Sequence, residues 1–211
     1  MNNLIDLSEN VFRIQVVGSE GHGSAFFIKY EGRLYGVTAK HNFENKPTDK
    51  AKVFVSNEES CTFSIFNPKV SETEDVMIFE IGNDFPINGI KGLECCVPNE
   101  SCYGRDVYCL GFPYKVTFDV SIVSKKEIPC IKKGVIGSVV KNFLVDKMLV
   151  VGFSGGPVIM DEKVIGVISF GSLTYLYDSE KKQLAEDYNL MSSNEYTQCV
   201  NVESVISLIN Q

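Results

Sequence analysis

Ser154 stands in the stretch Val151-Gly152-Phe153-Ser154-Gly155-Gly156-Pro157-Val158-Ile159, directly after an apolar run. Glycines on both sides of a serine permit backbone dihedrals closed to other residues. A strand-end turn here can therefore expose the hydroxyl while the amides of Gly152 and Ser154 face one point. Acyl transfer requires such an arrangement, because negative charge develops on the oxygen of the attacked carbonyl. A serine hydroxyl also needs a base to become nucleophilic. The sequence holds two histidines, His22 and His41, and both precede Ser154. An acid to orient the base is available in Asp75, which heads the apolar run Asp75-Val76-Met77-Ile78-Phe79-Glu80-Ile81. A carboxylate at the edge of a buried strand survives only if hydrogen-bonded.

The elements that must position these groups read as strands. Val11-Phe12-Arg13-Ile14-Gln15-Val16 alternates with the two-residue period of a half-buried strand. Residues 24–30 and 33–38, separated by Glu31-Gly32, read as a hairpin that delivers His41 at its far end. His22 lies between two glycines in the turn at 18–23, the setting of a solvent-facing loop histidine. Residues 51–57 and 61–66 form the next expected hairpin. The acidic cluster Ser71-Glu72-Thr73-Glu74 reads as a solvated loop ahead of Asp75.

Gly-x-Ser-x-Gly also occurs in the nucleophile elbow of α/β-hydrolases, but there the histidine follows the serine, and none does here. The order histidine, acid, serine is that of chymotrypsin-like proteases. The trio Thr-Ala-x-His ending at His41, Asp-Val-x-Ile-x-x-Ile from Asp75, and Gly-x-Ser-Gly-Gly-Pro-Val around Ser154 resembles the trypsin-like serine protease superfamily. It is most similar to intracellular bacterial-type or viral-type members such as the high-temperature-requirement proteases.

The resemblance implies an all-β fold of two Greek-key antiparallel barrels with a C-terminal helix. Residues 1–211 would form one peptidase domain, with an N-terminal barrel at about 9–82, a linker at 83–104, a C-terminal barrel at 105–200 and a helix at 202–210. It implies His41 as base, Asp75 as its orienting acid, Ser154 as nucleophile, and the amides of Gly152 and Ser154 as oxyanion hole. Ser169, Phe170 and Gly171 would form the edge against which an extended peptide lies, with the Ser169 hydroxyl on Asp75. Met148 takes the place of the residue at the base of the primary specificity pocket. It carries no charge, which implies an apolar or small residue on the acyl side of the scissile bond. Three residues depart from the family: Lys40 is usually small, Asn42 is a cysteine in secreted members, and Phe153 replaces the aspartate that pairs with a freshly cut amino terminus. Activation by that ion pair is thereby excluded, so the oxyanion loop is either preformed or ordered by an activating partner.

Composition bounds the alternatives. The chain has 211 residues, 44% of them hydrophobic, enough for a substantial core. A formal charge of −7 argues against nucleic-acid or anionic-membrane partners, both of which need a basic surface. The first residues lack the pattern of a secretory signal, and no apolar run approaches the roughly 20 residues of a membrane span. Seven cysteines without a compact framework read as mostly buried free thiols in a reducing, cytoplasmic compartment. Cys95, Cys96, Cys102 and Cys109 lack the spacing of a structural zinc site, and the chemistry described requires no metal or organic cofactor.

Further strands are expected at 105–113, 116–123, 134–140, 157–160 and 164–168, with a polar surface excursion at 177–196. Asn201 is expected to cap a helix that buries Val202, Val205, Ile206 and Ile209. Two rival readings keep the same fold: a silent protease-like binding or scaffolding module, and a viral protease that processes its own polyprotein. The substrate would be a peptide or protein in the enzymatic readings; oligomeric state is not legible.

Overall fold

The computed structural model describes residues 3–43, 49–55, 59–113, 127–139, 142–146, 149–171, 177–178, 183–184 and 196–211. After a short helix, α1 (Asn3–Ser8), come six strands: β1 (Val11–Val16), β2 (Gly23–Tyr30), β3 (Arg33–Thr38), β4 (Lys50–Phe54), β5 (Ser60–Val70) and β6 (Met77–Ile81). They close into an antiparallel barrel in the order β1-β2-β3-β6-β5-β4. The second barrel comprises β7 (Asp106–Gly111), β8 (Cys130–Val139), β9 (Asn142–Val145), β10 (Pro157–Met160) and β11 (Lys163–Gly171). A two-residue ribbon follows, β12 (Tyr177–Asp178) on β13 (Gln183–Leu184), and then β14 (Thr197–Asn201) completes the barrel in the order β10-β11-β14-β9-β8-β7. This is the expected two-barrel, chymotrypsin-like architecture.

Alternating apolar residues fill each barrel. With no tryptophan in the sequence, phenylalanines carry the first core: Phe12, Phe27, Phe63 and Phe85 meet edge to face, with ring centroids 4.9–5.6 Å apart. Two hairpins turn through left-handed residue pairs, Glu31-Gly32 and Asp161-Glu162, the mirror-image geometry that matches strand twist. The linker joins the barrels by strand-like contacts on both: Leu93 exchanges backbone hydrogen bonds with Phe27 and Lys29, and Cys96 donates to Val164. A buried ion pair at 2.6 Å, Arg13 on β1 with Glu127 ahead of β8, ties them again.

The chain closes with α2 (Val202–Ile209), capped by the Asn201 side chain, which accepts from the Glu203 amide at 2.9 Å. Its buried face is Val202, Val205 and Leu208; Ile206 and Ile209, expected in that face, are half-buried. The far end of α2 is held by Lys69 of the first barrel, whose Nζ donates to the Ile209 carbonyl at 3.1 Å.

Several expectations need correction. α1, β9 and β14 were not expected, and β6 starts at Met77, leaving Asp75 on the preceding turn. Glu74 is buried, not solvated: its Oε2 accepts from Asn142 Nδ2 at 2.7 Å. The expected strand at 116–123 and most of the excursion at 177–196 lie outside the described residues. All seven thiols are free, but only Cys102, Cys109 and Cys199 are buried, and Cys96 is exposed. Burial pushes the Cys109 thiol up to about 12 and Cys199 upward as well, which makes them inert core groups. Among the described residues no helix is long and apolar enough to cross a membrane.

Candidate active site

Strand pairing brings His41 and Asp75 together. β3 and β6 run antiparallel with Thr38 opposite Met77, so the residues leaving β3 and those entering β6 emerge at the same rim. His41 sits in a 3-10 turn, Lys40–Phe43, that follows β3. Asp75 sits in a turn pinned by the Ser71 amide on the Val76 carbonyl at 3.1 Å and by the Glu74 amide on Ser71 Oγ at 3.1 Å. The Asp75 carboxylate then accepts three hydrogen bonds: from His41 Nδ1 at 2.7 Å, from the His41 amide at 2.9 Å and from Ser169 Oγ at 2.7 Å. Burial by itself raises this carboxyl. The hydrogen bonds from His41 and Ser169, with the His41 charge, outweigh it and hold the pKa below the ordinary value of 3.8.

The loop that carries Ser154 is anchored by Phe153, whose ring is fully buried in the core of the second barrel with Cys109, Phe143 and Val158. Gly152 (φ +102) and Gly155 (φ +85) adopt left-handed dihedrals, and a Cβ on either would lie 2.1 Å from a backbone oxygen, of Phe112 and Ser24 respectively. Among the described residues, no acceptor takes the amide hydrogens of Gly152 or Ser154. Ser154 Oγ donates to the Ser169 carbonyl oxygen at 2.9 Å.

His41, Gly152, Ser154 and Ser169 line one cavity of about 620 Å³ between the barrels. Ile14 and Val16 wall it on one side, Leu149, Val150 and Ile168 on the other. The structure thus brings together His41, Asp75, Gly152, Ser154 and Ser169. Gly171 lies on the same strand, β11, opposite Thr197, and Phe170 stands between it and Ser169. Met148 lies outside the described residues; the adjacent Leu149 amide donates to Thr197 Oγ1 at 3.1 Å.

Sequence reasoning missed three residues here. His22, expected to face solvent, is half-buried and lines the cavity. Asn42 donates to the Ser154 carbonyl at 3.1 Å, and Ser24 donates to it from its amide at 2.8 Å and to the Gly152 carbonyl from its hydroxyl at 2.7 Å. Asn42 carried a signal, since it departs from the family at the position following His41. Ser24 carried none.

No protein-family model matches the chain, and no curated protein matches it. Its fold is similar to solved structures of the Rv3671c protease. The inactive form aligns over 99% of this chain and 91% of that one, at 14% identity and a TM-score of 0.66. The active form, from M. tuberculosis, aligns over 99% and 82%, also at 14% identity, with a TM-score of 0.69. The chain therefore has the two-barrel fold of trypsin-like serine proteases.

Proposed function

We propose that the chain is a serine endopeptidase working through His41, Asp75 and Ser154. One observation carries the reading: a histidine oriented by a hydrogen-bonded carboxylate shares a cavity with a serine flanked by two amides that have no acceptor among the described residues. Once rotated toward the ring, the Ser154 hydroxyl gives its proton to His41 Nε2 as it attacks a peptide carbonyl. The Gly152 and Ser154 amides receive the charge on the tetrahedral oxygen, a contribution of about 3–4 kcal/mol per donor in comparable sites. The imidazolium, stabilised by Asp75, returns the proton to the leaving amine, and water then attacks the acyl-enzyme by the same route.

The cavity suggests the substrate. Among the described residues no carboxylate, ammonium or guanidinium group lines it, so a charged side chain entering would lose hydration without a counter-charge. Apolar or small uncharged side chains on the acyl side of the bond fit this environment, within a peptide or protein laid along β11. The free thiols suit a reducing, intracellular setting.

The bond from Ser154 Oγ to Ser169 favours the rival reading of a silent binding module, because it turns the hydroxyl to another acceptor. A rotation about one side-chain torsion undoes it. The test is cleavage of a mixed peptide library by the wild type and by Ser154→Ala, with fluorophosphonate labelling in parallel. Cleavage and labelling that both vanish in the variant support the peptidase; an unlabelled, inactive wild type leaves the binding module.

A further inference from the structure

Three successive peptide planes of the nucleophile loop are held by named bonds. The Gly152-Phe153 plane is held at its carbonyl by Ser24 Oγ at 2.7 Å and at its amide by the Val150 carbonyl at 3.2 Å. The Gly156 amide, at 2.9 Å from the Phe153 carbonyl, holds the Phe153-Ser154 plane. The Ser154-Gly155 plane is gripped from both barrels: its carbonyl accepts from the Ser24 amide at 2.8 Å and Asn42 Nδ2 at 3.1 Å, and its amide donates to Ile168 at 2.7 Å. The two amides left over are those of Gly152 and Ser154.

Within this frame Asn42 has a particular place. It follows the base directly in sequence, so its carboxamide links the backbone next to His41 to the carbonyl of Ser154, 112 residues beyond Asn42. The carboxamide is itself fixed: Nδ2 also donates to Thr38 Oγ1 at 3.0 Å, and that hydroxyl donates to the Ser24 carbonyl at 2.8 Å. Gly23 is the floor it rests on, since a Cβ there would overlap the Asn42 side chain, at 2.3 Å from Nδ2.

We infer that Asn42 is a positioning residue that sets the spacing of His41 and Ser154 and keeps the oxyanion loop formed in the free protein, so that no partner is needed to order it. The inference rests on the peptidase reading and goes beyond it. Asn42 lines the cavity, but both hydrogens of its Nδ2 are engaged by the Ser154 carbonyl and Thr38 Oγ1, so its loss misplaces the reacting atoms without removing a donor to the peptide. Small misplacements of reacting atoms cost about 10- to 100-fold in rate.

The test uses the full chain as wild type, Asn42→Ala and Asn42→Asp, with no other protein added. The readouts are kcat and KM for a peptide that the wild type cleaves, taken on the pH plateau, and the rate of fluorophosphonate labelling. The wild type is expected to label promptly. Both variants are expected to lose about 10- to 100-fold in kcat and in labelling rate, with KM within about two-fold. Asn42→Asp keeps the shape over Gly23 and removes the donor, so it carries the test if the alanine variant fails to fold. A folded variant with wild-type kcat, a loss confined to KM, or a wild type that labels only after a partner is added overturns the inference while leaving the peptidase standing. A wild type that neither cleaves nor labels under any condition removes both.

Discussion

The Ser154 hydroxyl and the Ser169 carbonyl are hydrogen-bonded at 2.9 Å, while the Ser169 hydroxyl is bonded to Asp75 at 2.7 Å. One residue of β11 therefore touches both Ser154, through its backbone, and Asp75, through its side chain. The Ser154 hydroxyl thus occupies an acceptor that, on the proposed function, an extended peptide adding to this strand would use.

A peptide amide that donates to the Ser169 carbonyl should displace the Ser154 hydroxyl and release it toward His41. Methylating the nitrogen of the substrate residue that supplies this amide removes the donor and leaves the hydroxyl held. Cleavage of the methylated peptide is expected to fall by about ten-fold or more in kcat/KM, the loss of a net hydrogen bond plus the unreleased nucleophile. Steady-state kinetics on the matched pair of peptides measures this. Equal cleavage of the two would show that the contact is not used.

Asp75 accepts from His41 Nδ1, which leaves Nε2 as the ring's acceptor. In Asp75→Asn the amide can present its NH₂ to Nδ1, and the ring then carries its proton on the wrong nitrogen. A loss in kcat of about 10⁴-fold is expected. Ser169→Ala removes one of the three donors to the carboxylate but leaves the tautomer intact, so about ten-fold is expected. Similar losses from the two substitutions would argue against separate roles.

The lowered Asp75 pKa has a consequence in acid. A carboxyl whose folded-state pKa lies below its unfolded value stabilises the fold fully above the unfolded value of 3.8, and that contribution disappears as pH drops through the folded value. Asn at this position cannot titrate. Urea unfolding of wild type and Asp75→Asn across a pH series should give a stability gap that is constant above 3.8 and narrows below it. A gap that widens on acidification would contradict the ion-pair and hydrogen-bond account.

The parts of the fold legible in sequence are those whose signal is local. β1 and β3 match the expected Val11–Val16 and Arg33–Thr38 because alternation and turn chemistry mark them. β9 is four residues long and β14 five, too short for a two-residue period to stand out from the surrounding sequence. His41 and Ser154 stand out as candidates in the sequence because histidine is scarce in this chain and Ser154 sits among glycines. Ser24 gave no signal and Asn42 only that of a departure after His41, since their contacts exist only where the first barrel meets the second.

Glu74 belongs with these unread residues, and its burial gives a last expectation. In sequence it is one acid among Glu72, Glu74 and Asp75; in the fold its carboxylate accepts from Asn142 on β9, 68 residues on, across the junction of the barrels. Removing one partner of a buried hydrogen bond to a charged group costs about 1–3 kcal/mol. For a chain of this size each kcal/mol lowers Tm by about 2–4 °C, so Glu74→Ala should melt roughly 2–12 °C early. The residue also precedes Asp75, and the strut holds the turn that presents the carboxylate to His41. A double-mutant cycle of Glu74→Ala with Asn142→Ala isolates the contact, and a coupling of about 1 kcal/mol is expected between side chains that touch directly. If the two losses simply add, the bond contributes nothing of its own. The buried position of Glu74 would then reflect only the packing of its turn.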